Sequence, residues 1–151
     1  MMLTSPCIQS VRNGIPEYNH VWGNSMTGIL QYSASGQMAA VLTSTDPELR
    51  PRNLSVPFPA DEPNSPEWAL VGKHALGYAG PFTVAEGSTK TSGTLLHGPL
   101  TVANVPSMEG IMVTRNYTMF WNSKADGGAD LMRLVLGTSL QHIIWWRRNA
   151  D

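Results

Sequence analysis

Turn residues interrupt this sequence so often that few apolar runs have room to become a long helix. Fourteen glycines and eleven prolines fall largely in clusters between short runs of apolar and polar residues, the pattern of serial strands joined by tight turns. Leu3 to Val11 reads as a first strand, ended by Arg12-Asn13-Gly14, whose Asn-Gly pair favours a tight turn. Met26 to Tyr32, Ser33-Ala34-Ser35-Gly36 and Gln37 to Thr43 read as a hairpin. Further strands are expected over Gly80–Ala85, Ser88–His97, Leu100–Asn104, Gly110–Asn122, Asp130–Leu136 and Leu140–Arg148. About eight or nine strands with short connections predict an all-β, antiparallel up-and-down barrel, because closure removes exposed sheet edges.

One helix interrupts the pattern. Ser65 would cap it, Pro66 suits its first position, and Glu67 complements the positive end of its dipole. Trp68, Val71, Ala75 and Tyr78 then recur at helical spacing, with Gly77 as a stop. Residues 44–64 carry five prolines, so this stretch is either an extended connector or a lid over a barrel mouth.

At 151 residues the chain is expected to be one domain spanning 1–151. Ten basic residues against eleven acidic ones leave no basic face for phosphates, which excludes a nucleic-acid partner. Cys7 is the lone cysteine, so an intrachain disulfide and a zinc–cysteine cluster are both excluded. No run reaches the roughly 18 apolar residues of a membrane span, and the first twenty residues lack a signal-peptide pattern. A cytoplasmic location without membrane attachment is the expectation.

Alternation splits each strand into two rows. Ile111, Val113, Arg115, Tyr117, Met119 and Trp121 form the more apolar row of their strand and are placed inward. That buries Arg115, whose guanidinium then needs an acid, a carbonyl or a polar ligand. Arg133 stands among aliphatic neighbours in the same way. The last strand splits into Gln141, Ile143, Trp145, Arg147 and His142, Ile144, Trp146, Arg148, and periodicity leaves its inward row open. Leu95 shares a row with His97, and Met38 shares one with Ala40 and Leu42. Such rows would line an aromatic, Met-rich interior with a few polar groups, the make-up of a small-molecule pocket.

Glycine-rich phosphate loops are absent, Gly23-Asn24-Ser25-Met26-Thr27 misses the nucleophile elbow because Thr27 stands where glycine is needed, and His20, His74, His97 and His142 lack metal-ligand spacing. No cofactor and no metal are therefore expected. What remains is acid–base chemistry: His97, His74, Tyr32, Tyr117, Glu109 and Asp130 could move protons, and Arg115 or Arg133 could hold an oxyanion. Each also has a plainer reading. His97 before Gly98-Pro99 reads equally as a solvated turn residue, and Trp121 or Trp145 as ordinary core.

The stretch Gly28-Ile29-Leu30-Gln31-Tyr32-Ser33-Ala34-Ser35-Gly36-Gln37-Met38-Ala39-Ala40 resembles the signature hairpin of the small lipocalin-like domain family of bacteria and fungi. Trp68 to Tyr78 followed by Gly80-Pro81-Phe82-Thr83-Val84, then Leu96-His97-Gly98 with Asn104, and later Arg115, Leu131, Trp145 and Arg147, continue the resemblance in order. The family's Gly-x-Trp opening is absent from Leu3–Val11, and Val105-Pro106 replaces its aromatic after Asn104. The resemblance implies a closed antiparallel barrel with a central cavity and a helix near its mouth. It also implies a setting like that of the small barrels of fungal secondary metabolism, some of which act as cofactor-free cyclases or isomerases.

These readings together predict a barrel that binds a small hydrophobic metabolite and promotes a cofactor-independent isomerisation, cyclisation or dehydration, with a non-catalytic carrier as the alternative. The catalytic candidates are Arg115, His97, Tyr32 and Tyr117. The ligand-binding candidates are Arg133, Trp121, Trp145, Met38, Met119 and Trp68. The Trp145-Trp146 pair places one tryptophan on each strand face, so a homodimer through an exposed tryptophan is a further expectation.

Overall fold

The computed structural model describes residues 2–23, 25–54, 56, 66–124 and 127–148, with residues 2–8 described as backbone. Ten strands form one antiparallel sheet. They are β1 (Met2–Arg12), β2 (Ile15–Glu17), β3 (Met26–Tyr32), β4 (Gln37–Ser44), β5 (Ala75–Val84), β6 (Ser92–His97), β7 (Val102–Ala103), β8 (Val113–Ser123), β9 (Ala129–Leu136) and β10 (Leu140–Arg148). The order runs β10-β9-β8-β6-β5-β4-β3-β1-β2, and β10 also pairs with β1. The circuit of pairings therefore returns to its starting strand, as the up-and-down barrel reading requires.

Two seams are narrow. β1 meets β3 only over Met2–Thr4, and its far half pairs with β2 through a turn at Asn13 and Gly14, both with positive φ. β5 meets β6 only over Phe82–Val84, after which the chain bulges through Gly98 and rejoins β5 as β7. The bulge requires glycine on both sides. A Cβ on Gly98 would lie 2.3 Å from the Ile111 carbonyl oxygen, and one on Gly80 would lie 3.0 Å from the Leu100 backbone.

The one α-helix among the described residues, α1 (Pro66–Lys73), is shorter than its apolar spacing suggests and buries no residue fully. Ala75 and Tyr78 do not extend its face. They belong to β5, which pairs with β4 from Thr43↔Ala75 to Gln37↔Pro81. Gly72 and Gly77 make this stretch a poor helix, whereas Asn104 secures Gly77 in the sheet: its Oδ1 accepts from the Gly77 N–H at 2.9 Å. The expected cap, Ser65, and all of 57–64 lie outside the described residues.

The strand registers define two barrel ends. At the hairpin end lie the turn at 33–36, the β5–β6 connection at 85–91 and the β8–β9 connection. At the loop end lie residues 18–25, α1, the 98–112 segment and the β9–β10 turn. Leu30, Met38, Ala40, Leu42, Tyr78, Leu95, Met119, Met132, Leu134, Ile144 and Trp146 pack between the walls, and Trp22 closes the loop end. In the last strand it is Ile144 and Trp146 that join this core, across from Leu134 and Met132, so the row His142, Ile144, Trp146, Arg148 faces inward.

Candidate functional site

Alternation on β8 turns Val113, Arg115, Tyr117 and Met119 toward the interior, and the β6–β8 ladder carries them past β6 in the pairs His97↔Val113, Leu95↔Arg115 and Gly93↔Tyr117. Across the barrel, β3 ends on Tyr32. There the barrel holds an open pocket of about 300 Å³, lined by Tyr32, Phe82, Thr89, Lys90, Leu95, Tyr117, Met119, Trp121 and Met132. The walls are mostly apolar, and the volume sits at the lower end of small-molecule sites. Trp121, about half exposed, stands at the rim.

The pocket floor is polar. The Tyr32 hydroxyl lies 2.8 Å from Nε2 of His97. His97 is wholly buried, and its ring also sits against those of Tyr32 and Tyr78. Burial pushes the His97 imidazole down to about 4, with the Arg115 guanidinium acting in the same direction. Burial also raises the Tyr32 hydroxyl above its usual range, reinforced by Tyr78 and opposed by Arg115. Both groups are therefore neutral at physiological pH. His97 Nδ1 and Trp146 Nε1 are buried with no hydrogen-bond partner among the described residues.

Arg115 is only 7% exposed, and the one hydrogen bond found for it runs from Nη1 to the Thr114 carbonyl at 3.1 Å. No carboxylate pairs with it: the ion pairs among the described residues are Arg12–Glu17 and Arg148–Asp130. Tyr117 spends its proton on the main chain, donating to the Thr89 carbonyl at 2.5 Å, which ties the β5–β6 connection to the pocket wall.

Four of the sequence candidates line the pocket: Tyr32, Tyr117, Met119 and Trp121. His97, Arg115 and Met38 lie beside it, Met38 in the core opposite Tyr32. Three others are placed elsewhere. Arg133 alternates with the inward Met132 and Leu134, so it lies on the outer face, across from Trp145 and Thr118. Trp145 is likewise outward and meets Phe120 with ring centroids 5.2 Å apart. Trp68 sits on α1 at the loop end, away from the pocket, so neither the helix nor the described part of 44–64 covers the mouth. The reading of His97 as a solvated turn residue fails because the Gly98 bulge folds it inward.

The sequence reading missed Phe82, Thr89, Lys90 and the two orphaned ring nitrogens. Phe82 shares the inward row of Tyr78 and Gly80, a signal hidden by assigning Tyr78 to a helix. Thr89 and Lys90 come from a connection whose fold has no periodic signature. Among the described residues no cluster of three or more His, Cys, Asp or Glu is placed to hold a metal, and no helix is long and apolar enough to cross a membrane.

Residues 7–149 match the lipocalin-like domain family. The chain belongs to that family. Neither curated proteins nor solved structures yield a match. Membership in the lipocalin-like family agrees with the antiparallel sheet of ten strands and suggests a small-molecule binding fold. What the fold does with a ligand must be argued from the pocket itself.

Proposed function

We propose that this lipocalin-like barrel takes a small, largely apolar metabolite into the hairpin-end pocket and promotes a cofactor-independent cyclisation, isomerisation or dehydration there. The observation that carries the reading is the Tyr32–His97 hydrogen bond at the base of an apolar cavity, with a buried arginine beside it. With His97 in the tautomer whose Nε2–H donates to the Tyr32 oxygen, the phenol's own proton is directed to a carbonyl or hydroxyl oxygen of the ligand. Arg115 favours negative charge developing on that oxygen, and the low-dielectric wall strengthens the effect. Phe82, Met119 and Met132 would hold the carbon skeleton in a reactive shape, which lowers the entropy cost of the step. The secondary-metabolite setting is supported by the sequence resemblance alone.

One observation favours carriage without turnover. Tyr32 is shifted up and His97 down, so neither is tuned toward the neutral range that suits a general base. The two readings separate experimentally. Wild type and Tyr32→Phe are titrated with 8-anilinonaphthalene-1-sulfonate to measure binding. They are then incubated with β,γ-unsaturated ketones, whose conjugation is read by ultraviolet absorbance. Conversion above the buffer rate that drops at least tenfold in Tyr32→Phe supports the enzyme. Binding with no conversion above buffer overturns catalysis and leaves the carrier, whereas no binding overturns both.

A further inference from the structure

The polar groups around the pocket floor are unbalanced in one direction. Arg115 sits level with the pocket wall: its cross-strand neighbour Leu95 and its same-row neighbour Tyr117 both line the cavity. Its side chain is buried, and its one hydrogen bond is to a main-chain carbonyl, so most of its five donors lack a protein acceptor. Trp146 adds an unpaired indole N–H, a group that can only donate, on the inward row directly across from the lining residue Met132. Lys90 brings a second cation to the rim. Among the described residues the lining holds no Asp or Glu. His97 Nδ1 and Trp146 Nε1 are the side-chain atoms that are both buried and unpartnered among the described residues, so the remaining Arg115 donors are not sealed off, and an anion reaching them would supply the counter-charge the guanidinium lacks.

We infer that the pocket is built for an apolar acid: a molecule whose hydrocarbon body lies among Phe82, Met119, Trp121 and Met132 and whose carboxylate reaches Arg115. This deepens the small-molecule reading above by naming the ligand class, and it rests on that reading. Planar carboxylates suit a guanidinium fork, which offers two parallel donors where an ammonium offers a point charge.

The test compares octanoate with 1-octanol, equal in length and different in charge, using tryptophan fluorescence and the shift of the unfolding midpoint at pH 7.5. Acetate is the third arm, an anion without the body. Wild type is expected to bind octanoate at least tenfold more tightly than 1-octanol, and acetate at least a hundredfold more weakly than octanoate. Arg115→Met is expected to lower the acid-to-alcohol ratio below threefold, whereas Lys90→Gln lowers it less than threefold. The wild-type comparison decides the matter even if Arg115→Met does not fold. Equal binding of acid and alcohol overturns the assignment while leaving a neutral-ligand pocket intact. Acetate binding as tightly as octanoate overturns the apolar part, and a ratio moved only by Lys90→Gln overturns the role of Arg115. If neither eight-carbon probe binds, the pocket reading itself fails.

Discussion

The two ends of the barrel treat their polar groups in opposite ways. At the loop end the buried polar side chains Ser10 and Ser44 are both engaged. Ser44, fully buried, donates to the Trp22 carbonyl at 2.9 Å and accepts from the Asp46 N–H at 3.1 Å. Asn19 donates to Ser10 while its Oδ1 accepts from the N–H groups of Val21 and Trp22, and Ser10 meets His142 at 3.0 Å. Trp22 then sits over the core as a stopper. At the hairpin end the Trp146 indole and His97 Nδ1 lack partners, and Arg115 has one carbonyl. An end whose hydrogen bonds are complete is structural. An end that leaves buried polar atoms open gives up stability to keep a site available.

The contrast can be broken most forcefully at the stopper. Trp22→Ala empties a large buried site and should cost about 3–5 kcal/mol, measured by denaturant unfolding. Affinity for 8-anilinonaphthalene-1-sulfonate at the opposite end should change less than twofold where the variant remains folded. A several-fold affinity loss would show that the two ends are not separable.

The next effect is a pH dependence from the hairpin end. His97 titrates near 4 when folded and near 6.5 when unfolded, so the unfolded chain binds the extra proton between those values. Its stability contribution is complete above about pH 6.5 and is lost as pH falls toward 4. Between pH 6.5 and pH 5 the loss should be roughly 1.5 kcal/mol, and His97→Gln should flatten that slope in urea titrations. An unchanged slope would remove His97 from the buried neutral floor.

Smallest in stability is Trp121→Ala at the rim. Half exposed as Trp121 is, its loss should leave folding within about 0.5 kcal/mol while lowering probe affinity about threefold or more. A stability loss above 2 kcal/mol without an affinity change would make Trp121 part of the wall rather than of the binding surface.

Much of this fold was legible because a strand's periodicity is local. The hairpin Met26–Tyr32 and Gln37–Ser44, the strand Leu140–Arg148 and the inward row carrying Arg115 all follow from alternation and turn residues. Illegible stretches were those that two patterns fit equally. Residues 68–78 carry helical spacing, yet pairing with β4 claims everything from Ala75 onward. Arg133 was a candidate because aliphatic residues surround it on both rows, and Trp145 because the last strand's periodicity leaves its inward row open; only the register shows Met132 and Trp146 taking the interior. The site was half legible for the same reason: Tyr32, Tyr117, Met119 and Trp121 could be picked by residue type, whereas Lys90 and Thr89 arrive through an irregular connection.

By itself the sequence determined that this chain is a succession of short antiparallel strands with cationic side chains, Arg115 and Arg133, set among apolar rows. Both properties depend on neighbours two residues apart and on turns of a few residues. Only the tertiary structure decided that Tyr32 and His97, 65 positions apart, share a hydrogen bond, that the last strand faces inward with Trp146, and that the helix lies at the end without the pocket. Those outcomes depend on register between strands distant in the chain, and a side-chain period of two cannot distinguish one register from its neighbour until the partners are in place.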